Sequence, residues 1–206
     1  RLTKTAQDSQ GRGVQKRENV YNALHQKTHE IDTQDNITHF HYNPFGHPLQ
    51  IIKPALRTSS GLSTPLTEYT YNAMGNPITK KDSEGNLTIT RYTARGSPYH
   101  IIHPDGAEEF FTYDLMGNPS THISPTGVQT KYTHDYLGRM TSKKIYSKNE
   151  DLLSEEHYLY NALHLLEKTD PDGVKTIYTY DGAGRKIKEE THADGQIRTT
   201  LFAFDS

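Results

Sequence analysis

At 206 residues the chain is long enough for one or two domains with a core, yet only 32% of it is hydrophobic. It has no Cys, which removes disulfides and thiolate metal sites. The 23 basic and 25 acidic side chains give a formal net charge of −2 and are spread without blocks, so neither nucleic acid nor an anionic membrane surface is indicated as a partner. No apolar run is long enough to span a bilayer and no signal peptide is visible. Opening at Arg1 without a Met and stopping inside a motif, the chain reads as an interior piece of a longer polypeptide.

In chain order, residues 1–18 are polar and read as a lead-in or a degenerate repeat. From residue 19 to 206 a repeat of about 21 residues takes over, clearest where GNLTITRYTARGSPYHIIHPDG is followed by GAEEFFTYDLMGNPSTHISPTG. Its anchors are Tyr21, Tyr42, Tyr71, Tyr92, Tyr113, His134, Tyr160, Tyr180 and Phe204, spaced 21, 29, 21, 21, 21, 26, 20 and 24 residues apart. Asn or Asp follows most anchors, and a turn glycine closes the motif at Gly75, Gly96, Gly117, Gly138 and Gly184. In the two YNALH copies, at 21–25 and 160–164, a His stands in the glycine column, so these two turns are expected to be shaped differently. Two surpluses interrupt the period. Residues 53–66, rich in Ser, Thr and Pro, read as a loop bulging from one hairpin, and residues 147–156 as a similar insertion or a short helix.

The pattern around the anchors is that of strands. Another aromatic stands two residues before the anchor at Phe40, Tyr69, Phe111, Tyr132, Tyr158, Tyr178 and Phe202, and residues i and i−2 share one face of a strand. Four residues before the anchor, Thr recurs at 38, 67, 88, 130, 176 and 200, another strand former on the same face. PDG, PTG, SEG and ADG supply the alternate turns. The expected fold is all-β: about eight repeats of two strands and two turns, running as an antiparallel β-meander too long to stay an open flat sheet and therefore strongly curved. Ordering a residue costs roughly 1–2 kcal/mol and a cross-strand pair contributes roughly 0.2–1 kcal/mol, so a sheet this polar gains viability by stacking many repeats.

Residues that could carry chemistry are few. His39 and His41 alternate on one strand near His47, but they flank Phe40 on the opposite strand face and no carboxylate joins them, so no metal site is assigned. His100 and His103 lack a nucleophile and an orienting acid. The acidic stretches at Ile31 and Asp170 offer too few oxygen donors for calcium and read as turn chemistry. No GxxxxGK phosphate cradle is present. No catalytic residue, cofactor or metal ligand is therefore assigned, and the tyrosine column is taken as structural, with sugar stacking on it the lesser reading.

The tyrosine-aspartate signature at this period, over residues 19–206, resembles the YD-repeat or Rhs-repeat family of bacterial Rhs proteins, insecticidal toxin complexes and teneurins. The resemblance implies a strip of β-sheet winding into a hollow shell that holds a toxic C-terminal domain until delivery, without catalysis by the wall. It further implies a secreted or cell-surface protein, whose partners are the remainder of the same polypeptide with its toxin cargo and the secretion or toxin-delivery components. The alternative, from the teneurin branch, is a cell-surface adhesion or carbohydrate-binding module acting through the insertions. DPDGV at Asp170 is an ordinary turn within a repeat, so no self-cleaving segment is assigned.

Overall fold

The computed structural model describes residues 2–4, 17–59 and 61–204. The chain divides into two units, Arg1–Ala107 and Glu108–Ser206. The first contains β1 (Leu2–Lys4), β2 (Arg17–Tyr21), β3 (Lys27–Ile31), β4 (Ile37–Tyr42), β5 (Pro48–Ile52), β6 (Leu56–Thr58), β7 (Gly61–Ser63), β8 (Leu66–Tyr71), β9 (Pro77–Lys81), β10 (Leu87–Tyr92) and β11 (Pro98–Ile102). The second contains β12 (Glu108–Tyr113), β13 (Pro119–Ile123), β14 (Gln129–His134), β15 (Met140–Tyr146), β16 (Leu152–Tyr160), β17 (Leu165–Thr169), β18 (Lys175–Tyr180), β19 (Lys186–Ala193) and β20 (Gln196–Leu201). Within each unit every strand pairs antiparallel with its neighbour in sequence, except that β5 skips the β6–β7 hairpin and pairs with β8. Of the 1–18 segment, β1 pairs with β2, and most of the remainder lies outside the described residues.

One turn design serves both ends of the meander. In a five-residue turn the first N–H donates to the fifth carbonyl and the fourth N–H returns to the first carbonyl, as in Asn43 to His47 (2.9 Å) with Gly46 to Asn43 (3.0 Å). Ten glycines hold the fourth position at positive φ, as do three other residues, His25 (φ 59°), Asp35 (φ 60°) and Glu150 (φ 67°). The first residue caps the turn with its side chain: Asp114 Oδ1 accepts from Met116 N (2.9 Å) and Asn118 N (2.8 Å), and Asn22, Asn43, Asn72, Asp135 and Asp181 do the same. This is why Asn or Asp follows the anchor: the short polar side chain satisfies backbone donors that the turn takes out of the ladder.

The ladders are uneven. Within a repeat the register shifts at the anchor, between Thr70 and Tyr71 or Thr179 and Tyr180 for example, so that each anchor closes its hairpin at a bulge. Between most repeats the ladder stops three pairs from the opposite turn, β5 and β8 pairing from Ile52↔Leu66 to Gln50↔Glu68 and β9 and β10 from Lys81↔Leu87 to Thr79↔Ile89, whereas β15–β16 and β19–β20 run further, to Ser142↔His157 and Lys188↔Leu201. Neighbouring repeats therefore splay apart toward the anchor end, and side chains fill the gap. Among the described residues no hydrophobic side chain is fully buried, and the buried residues are Glu18, His100 and Ser142. Within each unit the described strands form a single-layer meander without a dry core.

The two surpluses differ. Residues 53–66 carry the β6–β7 hairpin, closed at its base by Lys53 N to Pro65 O (2.8 Å). Where the sequence suggests a loop or short helix at 147–156, the turn spans only Ser147–Asp151 and the surplus lengthens β15 to seven residues and β16 to nine. Lys143↔Glu156 and Lys144↔Glu155 pair across that extension, the second through a 2.6 Å ion pair. Of the two YNALH turns, both expected to depart from the glycine turns, only the second does: His25 keeps the five-residue turn by itself taking positive φ, whereas Asn161 N bonds to His164 O (3.0 Å), a turn one residue shorter.

Candidate functional site: the anchor ladder

The splayed gap between repeats is where the anchors act on their neighbours. Each anchor stands at the C-terminal end of its strand, Tyr42 on β4, Tyr71 on β8, Tyr92 on β10, Tyr113 on β12, His134 on β14, Tyr160 on β16 and Tyr180 on β18, while Phe204 lies beyond β20. Tyr42 donates its hydroxyl to Lys27 O (2.8 Å), Tyr71 to Pro48 O (2.6 Å), Tyr92 to Pro77 O (3.0 Å) and Tyr180 to Leu165 O (2.9 Å). In each case the acceptor is the first residue of the preceding repeat's second strand, a carbonyl beyond the last ladder pair. The phenol bridges the gap with an apolar body and a polar tip. Partial burial accordingly raises the hydroxyl pKa of Tyr71, with Tyr69 adding to it, and of Tyr113.

A second column runs beside the first and is made by the last residue of the turn, a position the sequence reading left without a role. The His47 ring stacks on Tyr71 (centroids 4.9 Å, 25°) and the His164 ring on Tyr180 (4.3 Å, 14°). Arg139 lies 4.5 Å over Tyr160, and Arg185 lies 5.0 Å over Phe204. This residue also lies under the next turn glycine. A Cβ on Gly75 would sit 2.7 Å from His47 Cε1, and one on Gly184 would sit 3.1 Å from His164 Cε1. Gly75, Gly96, Gly117, Gly138 and Gly184 all hold positive φ. At Gly75 and Gly184 the missing side chain matters twice, for the backbone conformation and for the ring beneath. For His47, Arg139 and Arg185 the signal was available in the sequence as a His or Arg immediately after the glycine column, whereas His164 stands in that column itself.

Ionisable groups are tied into turns and cross-strand pairs. The Asn118 side chain hydrogen-bonds Asp114 and holds its carboxyl below the usual 3.8; the Asn86 side chain does the same for Asp82, and at Asp181 the Arg185 backbone N–H leads, followed by its side chain. Tyr158 donates to the Glu156 carboxylate, and burial first, then that carboxylate, pushes its hydroxyl pKa up to about 12. The three histidines of THFHYNPFGH are dispersed: His39 meets His29 edge-on (4.6 Å), His41 is exposed, and His47 stacks on Tyr71. Among the described residues no group of three or more His, Cys, Asp or Glu is placed to hold a metal, and no helix is long and apolar enough to cross a membrane.

The two ends of each meander differ in chemistry. At the anchor end most turn tips carry exposed apolar side chains, Leu24, Phe45 and Met74 in the first unit, where the Thr93–Ser97 turn with Arg95 is the exception, and Leu115, Met116, Tyr136, Leu137 and Leu163 in the second. At the opposite end the tips are Thr33–Gln34 and Ser83–Glu84 in the first unit, and Lys148–Asn149 and Pro171–Asp172 in the second. Leu115 is 91% exposed on a turn tip, while no apolar side chain is buried among the described residues, so the exposed tips are where many of the hydrophobic residues lie.

Residues 160–197 match the family model described as RHS Repeat. No curated protein matches the sequence. Among solved structures, the chain is similar to one described as the crystal structure of TcdB2-TccC3-Cdc42 (TM-score 0.69, 15% identity, 92% of this chain, 11% of that one) and to TcdB2-TccC3 itself (TM-score 0.68, 15% identity, 92% and 11%). It is also similar to a Tc holotoxin pore of Photorhabdus luminescens carrying a TccC3 variant (TM-score 0.62, 18% identity, 81% and 9%). The chain thus spans about a tenth of the length of the solved chains it resembles.

Proposed function

We propose that this chain is a member of the YD/Rhs-repeat family, a reading supported by the RHS Repeat match over residues 160–197 and by the fold, and that it is a non-catalytic length of wall in a hollow β-shell that sequesters a toxic C-terminal domain until delivery. The observation that carries this reading is the combination of a single-layer meander lacking a dry core with apolar turn tips along one end. Such a sheet acts as a barrier when its exposed tips abut further lengths of the same polypeptide, which cover them. Its hydrogen-bonded ladders and aromatic columns give the barrier stiffness, and its polar groups are occupied in turns. The remaining partners on this reading are the toxin cargo and the secretion or toxin-delivery components, and the parent protein acts outside the cell or at its surface. Electron microscopy of the parent polypeptide tests this. A closed hollow particle with disordered density inside is expected; an open or solid particle overturns the reading.

One observation favours a second reading, adhesion. The β6–β7 hairpin carries Leu56 and Leu62 exposed at 57% and 74%. Binding surfaces are often loops held by a rigid scaffold. Deleting 56–63 leaves the meander intact under both readings and abolishes cell-surface binding only under this one.

A further inference from the structure

Of the anchor positions from 42 to 180, one is not a tyrosine. At His134 the repeat keeps its strand, its bulge between Thr133 and His134 and its five-residue turn from Asp135, but the imidazole is shorter than a phenol. Its Nδ1 lies 3.9 Å from Asp114 Oδ2, so the ring turns toward the capping carboxylate of the preceding turn. By the rule that Tyr42, Tyr71, Tyr92 and Tyr180 obey, the hydroxyl at this anchor should reach the first residue of β13, which is Pro119. Pro119 stands fifteen residues before His134, as Pro77 stands fifteen before Tyr92. Among the described residues no side chain donates to Pro119 O. The β13–β14 ladder stops at Thr121↔Lys131, leaving the same splayed gap as elsewhere.

The gap is open. A pocket of about 390 Å³ lies there, lined by Phe111, Pro119, His122, Tyr132, His134 and Met140. Its walls are suited to a flat ring. Phe111 and His122 stack at 4.6 Å and 7° to form one aromatic wall, braced by Glu109 3.3 Å from His122 Nε2. Met140, paired with His134 in register, supplies a pliable thioether.

We infer that this pocket is a binding site for a para-substituted phenol, the group that the fold itself places in the equivalent gap of four other repeats. The ring lies against the Phe111–His122 wall and its hydroxyl donates to Pro119 O. The phenol arrives either as a free small molecule or as a tyrosyl side chain.

The test is an NMR titration of the full chain with 4-methylphenol, toluene and N-acetyltyrosinamide, following the His134 ring and the Met140 methyl. Saturable binding of 4-methylphenol is expected, with toluene weaker by about fivefold or more, the worth of one hydrogen bond. His134→Tyr fills the gap from within, so it abolishes binding and raises the melting temperature. His134→Phe also blocks binding, with a smaller gain in melting temperature. N-acetyltyrosinamide binding as well as 4-methylphenol supports a tyrosyl source, and binding of 4-methylphenol alone supports a free phenol. Absence of saturable shifts, equal affinity for toluene, or undiminished binding by both His134→Tyr and His134→Phe overturns the assignment.

Discussion

The pentapeptide YNALH occurs twice, at 21–25 and 160–164, and adopts two structures. In the first copy His25 takes the fourth turn position at φ 59°, and Gln26 becomes the fifth residue, its side chain bonded to Asn22 (2.7 Å) and lying under Gly46. In the second the turn closes a residue early, Leu165 pairs with Tyr160, and His164 itself becomes the residue that stacks on the next anchor. The sequence after the motif accounts for the difference. QK follows the first copy, so a polar residue is at hand for the position under the glycine. LL follows the second, and a five-residue turn there would put Leu165 in that position and slip β17 by one residue. A one-residue slip exchanges the faces of every side chain on the strand. It would remove Lys168 from opposite Tyr158, where it now lies 5.7 Å over the ring. Five identical residues do not determine the turn; the register of the strand that follows does.

The largest perturbation of the contrast is removal of the ring on which His164 rests. Tyr180→Ala is expected to cost about 2–3 kcal/mol in chemical denaturation, below the range for a fully buried aromatic because Tyr180 is only half-buried. An unchanged unfolding free energy would show that the column carries no stability. Next comes Gly184→Ala, at about 2 kcal/mol: roughly 1 for positive φ and roughly 1 for displacing His164. Gly173→Ala supplies the control, having φ +80° but nothing within 4 Å of its Cβ position. Equal losses at the two glycines would dismiss the ring contact.

The two histidines themselves separate by sign. Replacing His164 with Gly should destabilise by about 1 kcal/mol through the lost stack, whereas His25→Gly should stabilise by about 0.5 kcal/mol through relief at positive φ; melting curves of the pair that shift in the same direction contradict the two-turn account. The smallest expected effect is on pH dependence. Asp114 and Asp181 have lowered folded-state pKa values, so their contribution is fully present above the usual 3.8 and is lost as pH falls through those lowered values. The YNALH turns carry Asn at that position and contribute nothing to this acid loss. Asp114→Asn should therefore flatten the denaturation midpoint between about pH 5 and about pH 2, and a profile identical to the parent chain would remove the capping carboxylate from the acid response.

The alternation of aromatic, Thr and turn glycine made the strands, the meander and the position of the anchors legible in the sequence, because period 2 and turn chemistry are local. What was not legible depends on pairs of repeats. The His164 slot could not be read without the register of β17. The ten residues from 147 looked like a loop because surplus length in one repeat has no local signature, yet Lys143, Lys144, Glu155 and Glu156 pair across the strands and extend the ladder. The stacking role of the last turn residue required knowing that the next anchor lies above it. The Pro119 gap is visible only once the tyrosine hydroxyls are seen to have a fixed destination.

Because each ladder joins strands adjacent in the chain, interrupted once by the β6–β7 hairpin, closing any ladder requires only a short loop. Loop-closure entropy is small at such separations, and low contact order favours fast assembly. We predict that each hairpin can be laid down on its predecessor as the polypeptide emerges during synthesis at roughly 5–20 residues per second, so growth adds one paired strand at a time at the C-terminal edge. Pulse proteolysis of ribosome-held chains stalled at successive repeats should then show protection advancing one hairpin at a time. Protection appearing only after the last repeat would mean that the sheet condenses as a whole.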